Sequence, residues 1–160
     1  MGKKAEARDE GIKTVAKNRK AFHDYEVLEQ VEAGLVLAGT EVKSLRGGSI
    51  SIEESFARPR DGEVFLFGVH IPQYVPGTYL NHEPERARKL LLHRREIRKL
   101  EEKVNIERLT IVPLELYFKR GYAKVLLGVC RGRKARDKRA ALREREAKRS
   151  IQRAGRRSDE

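Results

Sequence analysis

The sequence predicts a mainly β fold: a small closed antiparallel barrel with helices on its flanks, followed by a basic C-terminal tail. Three observations predict it. Apolar and polar residues alternate through most of the runs between residues 24 and 130, the period of a strand. The connections between those runs are short and carry turn residues, which favours antiparallel pairing. From Arg131 onward the composition changes: Arg, Lys, Ala and Glu dominate, and Leu142 and Ile151 are the only large apolar side chains.

The elements follow in chain order. Residues 1–18 are polar and charged and are expected to form a flexible N-terminal segment. In "DYEVLEQVEA", Tyr25, Val27 and Val31 fall on one side of a half-exposed strand. Gly34 and Gly39 then bracket a short apolar run, a second strand or a bend of the first. Thr40 is placed to cap a helix running through Val42 and Leu45 to Arg46, with Gly47-Gly48 ending it. Two strands follow, joined by Asp61-Gly62 as a hairpin turn. In the second, Val64 and Leu66 face one way and Phe65 and Phe67 the other. A strand apolar on both sides belongs in the middle of a sheet or in a closed barrel.

"PERARKLLLHRREIRKLEEKVN" is predicted as the clearest helix. Pro84 suits its first turn, and Ala87, Leu90, Leu91, Ile97, Leu100 and Val104 recur at helical spacing. "LTIVPLELYF", "KRG" and "YAKVLLGVC" read as a last hairpin, in which Pro113 marks an edge or a bulge. The segment beyond has nothing to bury and is expected to be disordered in the free protein.

Charge narrows the function. The 160 residues include 36 Lys and Arg and 24 Asp and Glu, a net charge of +12. The last thirty residues hold 13 basic against 5 acidic side chains, leaving +4 on residues 1 to 130. A basic extension on a mildly basic body is the footprint of a polyanion binder. Nucleic acid fits better than an acidic lipid surface, because the tail lacks the aromatic residues that insert into a bilayer. There is no apolar stretch of spanning length and no secretory leader, so a soluble, cytoplasmic protein is expected.

Catalytic chemistry has little support. Cys130 closes an apolar run and reads as a small buried hydrophobe. His23, His70, His82 and His93 are scattered without metal-ligand spacing, Gly47-Gly48 lacks a phosphate-loop ending, and Glu53-Glu54 would point to opposite faces of a strand. No enzyme, metal or cofactor is expected. Binding signals are better. Phe22, Tyr25, Tyr74, Tyr79 and His93 lie among basic residues, where exposed rings can stack on unpaired bases, although core packing is the expected role of Phe22. Arg19 and Lys20, with Lys43 and Arg46, would make a phosphate-facing patch if the fold brings them together.

Four stretches, "EAGLVLAGTEVKSLR", "SFARPRDGEVFLFGVHI", "RKLLLHRREI" and "GRKARDKR", together resemble the small protein B (SmpB) family, the partner of transfer-messenger RNA in bacterial ribosome rescue. The resemblance runs from about Asn18 to Arg149. It implies a barrel related to the oligonucleotide-binding (OB) fold over residues 19–130, gripping the elbow of the tRNA-like part of that RNA. It also implies that Glu32, Leu91 and His93 matter for the grip; Leu91 and His93 fall on the helix predicted above from its spacing. The tail, residues 131–160, would become helical in the empty mRNA channel and decoding region of a stalled ribosome. There Asp137, Lys138 and Arg139 match the family signature, and Arg133, Lys134 and Arg136 add charge. Elongation factor Tu is an implied partner, through the alanyl-charged RNA. Two positions depart from the family: many relatives carry a ring where this chain has Arg136, and a tryptophan where it has Ala147. The alternative is a structural, ribosome-associated RNA-binding protein with a basic extension.

Overall fold

The computed structural model describes residues 11–48, 50–74, 81–133 and 135–157. Seven strands, β1 (Ile12–Lys17), β2 (Tyr25–Leu35), β3 (Phe56–Arg60), β4 (Glu63–Phe67), β5 (Arg88–Leu91), β6 (Thr110–Lys119) and β7 (Tyr122–Gly132), form one antiparallel sheet. Four helices accompany it: α1 (Arg19–Asp24), α2 (Gly39–Gly47), α3 (Arg94–Asn105) and α4 (Ala135–Arg157). The strand order is β1-β6-β3-β4-β5-β2-β7, and a further pairing of β6 with β7 leads from the last strand back to the second.

Two turns fix the hairpins. Asp61 and Gly62 both have positive φ, 51° and 77°, as do Arg120 and Gly121, at 52° and 83°. A two-residue turn with both residues left-handed matches the twist of the strands it joins, which sets β3 against β4 and β6 against β7. Pro113 lies beside a register shift between Pro113 and Glu115, so the proline marks a bulge; β6 is an interior strand, paired with β1, β3 and β7. One side of the sheet buries Val64, Leu66, Leu90, Ile111, Leu116, Val125 and Leu127, and α3 adds Leu100 to that core. Cys130 is buried in a smaller cluster with Ala21, Val112 and Leu114, and burial pushes its thiol up to about 11, out of the nucleophilic range.

Several expectations need correction. The segment read as flexible to residue 18 contains β1, which pairs with β6 from Ile12 to Lys17. Asn18, 1% exposed, ties it down: its amide donates to the carbonyls of Ile52 and Pro113, and its Oδ1 accepts from the Ala21 N–H to cap α1. The helix expected from Pro84 begins only at Arg94, because Arg88–Leu91 pairs as a strand with β4 and β2. Leu90 points into the core and Leu91 away from it, an alternation that the three consecutive leucines conceal. Ala38, rather than Thr40, sits at the N-cap of α2; the Thr40 hydroxyl meets His82 Nδ1 at 2.9 Å. Phe22 is 46% exposed, not core. β7 runs to Gly132, two residues past the expected boundary at 130, and the Arg133 N–H donates to the Asp24 carbonyl just beyond it.

The tail expected to lack structure is helical in the structure, and side chains 142–155 are exposed. Good helix formers and local pairs account for this: Lys148 and Glu144 form an i,i+4 ion pair at 3.2 Å, and the Ser150 hydroxyl donates to the Glu146 carbonyl.

The body's deepest polar feature is an ion pair that no sequence pattern announces. Glu41 on α2 and Arg88 on β5 have fully buried side chains and meet at 2.7 Å. Glu41 also accepts from the Ala38 N–H at 2.9 Å and from Arg86 at 2.5 Å, while Arg88 donates to the carbonyls of Val69 and Pro84. Burial alone would raise the Glu41 carboxyl; the Ala38 N–H and the two guanidinium groups outweigh it and hold the group below the usual range. The pair locks helix, strand and the flanks of the 75–80 segment into one arrangement.

Candidate nucleic-acid interface

The residues singled out in the sequence fall into three settings. The first is a shallow recess of ≈ 360 Å³ on the side of the sheet turned away from the core. Glu32, Leu91 and His93 all line it, with Gly34, Glu96 and Lys124. Register explains the convergence: Gly34 on β2 pairs with Leu91 on β5 and with Lys124 on β7, so β2 carries Glu32 and Gly34 between the other two. Leu91 lies close over the Gly34 backbone. A Cβ on Gly34 would stand 3.1 Å from the Leu91 Cβ, so the missing side chain lets the leucine settle there, still 55% exposed. His93 is the N-cap of α3, with its backbone N–H donating to Glu96 Oε2 at 3.2 Å. Leu91 is thus on a strand and His93 at a helix start, rather than both on one helix as expected.

Glu32 is held from the far side. The Tyr117 hydroxyl donates to its Oε2, and Lys119 Nζ is 3.7 Å from the same oxygen. Burial, then the bond to Glu32, raises the Tyr117 phenol, so it stays a protonated donor. The carboxylate is therefore oriented, and its partial exposure leaves acceptor capacity for ribose or base donors rather than for phosphate. A second recess of ≈ 370 Å³ adjoins the first through Glu32 and Glu96 and adds Lys99 and Lys103 from α3. The contribution of Tyr117, Lys119 and Lys124 was not visible in the sequence, because it depends on three-strand register.

The second setting concerns the four cations expected to form one patch, which lie on α1 and α2. Lys20 pairs with Glu54 at 2.7 Å, and that bond raises its pKa. Lys43 lies over the Tyr74 ring at 5.6 Å, and Arg46 over the Phe118 ring at 5.6 Å. Arg19 opens α1 beside Lys20 and is exposed. Tyr79 and Lys134 lie outside the described residues.

The third setting is the tail. Arg133 is fastened to the body through its backbone, whereas Arg136, Asp137, Lys138 and Arg139 lie on α4; the described side chains begin farther along the helix. Among the described residues, no group of three or more His, Cys, Asp or Glu side chains could hold a metal ion, and no helix is long and apolar enough to cross a membrane.

The model of a family described as SmpB protein matches residues 15–157. The chain belongs to the SmpB family. Similarity to curated members spans nearly the whole length. The SsrA-binding protein of Salinispora arenicola (strain CNS-205) is 56% identical over 152 residues, covering 94% of this chain and 96% of that protein. The SsrA-binding protein of Thermobifida fusca (strain YX) is 54% identical over 155 residues, 97% of each chain. Among solved structures, a chain from work described as "tmRNA-SmpB: a journey to the center of the bacterial ribosome" matches with a TM-score of 0.63 and 56% identity, over 77% of this chain and 87% of that one. The SmpB match includes every described element from β2 to α4 and so takes in the recess and the tail helix together.

Proposed function

We propose that this protein binds the tRNA-like domain of transfer-messenger RNA and carries it to stalled ribosomes to start trans-translation. The observation that carries the reading is the convergence of Glu32, Leu91 and His93, distant in sequence, on one recess. An oriented carboxylate, an exposed leucine and a ring at a helix start suit a folded RNA elbow, offering acceptor, apolar contact and stacking. We read the returning β6–β7 pairing as closure of a barrel related to the OB fold. The basic tail then occupies the empty mRNA channel and decoding region, where Arg133, Lys134, Arg136, Lys138 and Arg139 neutralise rRNA phosphate and Asp137 orients its neighbours. Elongation factor Tu joins through the charged RNA. The protein supplies binding and no catalysis, and acts in the cytoplasm.

The test is a gel shift with transfer-messenger RNA, with tRNA as competitor, across a salt series. The complex should weaken steeply with salt. A chain ending at Arg133, which keeps all seven strands, should retain the complex and fail to support tagging on stalled ribosomes. Loss of RNA binding on truncation would refute the division of labour, and stoichiometric association with actively translating ribosomes would favour a structural ribosomal role.

A further inference from the structure

We propose that the outward side of β3, β4 and β5 is a stacking platform for an unpaired RNA base. The inference rests on the RNA-binding reading above and extends its interface beyond the recess. Phe56 and Phe67 are register partners on neighbouring strands, with ring centroids 5.5 Å apart and planes within 22°. Phe65 follows at 6.5 Å from Phe67, and Arg58, its partner on β3, lies over the Phe56 ring at 5.4 Å. On the other side of the same strands, Ala57, Val64 and Leu66 are at most 5% exposed, so the core is already supplied by that side. Phe56, by contrast, keeps 37% of its surface open.

Three features select a nucleobase as the occupant. The ring–ring stack ends at the partly exposed Phe56 ring, capped by the Arg58 guanidinium, a planar cation on which a base can stack and which can pair with its phosphate. Lys89 pairs with Phe65 in register and with Glu63 at 2.7 Å, which places a second cation on this side of the sheet. Leu91, two residues along β5 from Lys89, lines the recess described above, so the aromatic patch is continuous with it. The pleat turns Phe65 and Phe67 to the side opposite Val64 and Leu66.

The chain contains no tryptophan, so Phe56→Trp introduces a single fluorescent reporter into the full-length protein. Titration with single-stranded oligoadenylate should quench its emission saturably, and an RNA duplex of equal length should leave it nearly unchanged. Phe56→Ala combined with Arg58→Ala should weaken oligoadenylate binding about tenfold or more, with the melting temperature held within a few degrees. Binding without quenching, equal quenching by the duplex, or no oligoadenylate binding by the wild-type chain would each overturn the platform. So would self-association abolished by Phe56→Ala, which would assign the face to a second copy. Glu32→Ala separates the two readings. If only the recess reading fails, this variant keeps full affinity for transfer-messenger RNA while the quench persists; if only the platform fails, affinity drops and no quench is seen.

Discussion

The body and the tail helix are both rich in charge, and they hold it in opposite ways. In the body, Glu41 and Arg88 are taken out of water entirely and satisfied by each other, by backbone groups and by Arg86. On α4 the described side chains face solvent, and the pairing seen there is between neighbours one turn apart. A buried pair belongs to one geometry only, whereas an exposed i,i+4 pair survives any placement of its helix. The body is thus specified by long-range contacts, and the tail by local propensity alone. A segment of the second kind takes its position from whatever surrounds it.

This contrast can be broken most forcefully at Glu41. Glu41→Gln should leave Arg88 buried without its counter-charge and cost about 3–5 kcal/mol, measured by urea denaturation of the body. The pH dependence carries the same signature. The folded carboxyl lies below its unfolded value, so its stabilisation is fully present above the unfolded pKa of about 4.3 and disappears as pH falls through the folded one. The substitution should flatten the stability profile in that acid window. A smaller effect is expected at Tyr117→Phe, which removes the donor that orients Glu32: about 1 kcal/mol of stability, with a parallel several-fold loss of affinity for transfer-messenger RNA. Smallest of all, Leu142→Ala with Ile151→Ala should change the melting temperature of the free protein by no more than an equivalent of about 0.5 kcal/mol, because both side chains are exposed on α4. A large loss there would show that the tail docks on the body after all.

What could be read from the sequence follows the same division. The hairpins at Asp61-Gly62 and Arg120-Gly121 were legible because turn chemistry and alternation are local. The strand Arg88–Leu91 was not, since Leu90, Leu91 and Ile97 satisfy helical spacing and only pairing with β2 and β4 decides between the two. Phe22 was misjudged because hydrophobicity alone does not say which rings are covered. Of the site, Glu32, Leu91 and His93 came from the family motif, and the recess unites them. The patch of Arg19, Lys20, Lys43 and Arg46 depended on how the fold places two separate helices, and the described contacts are those of Lys20 with Glu54, Lys43 with Tyr74 and Arg46 with Phe118.

The hydrogen bond from the Arg133 N–H to the Asp24 carbonyl has a geometric consequence. It leaves a single residue between the anchored end of the sheet and a helix of 23 residues. At 1.5 Å of rise per residue, that helix is a rod roughly 35 Å long. Any surface that α4 touches must therefore lie within a rod's length of the foot of β7, and that radius is set by the number of residues in the helix.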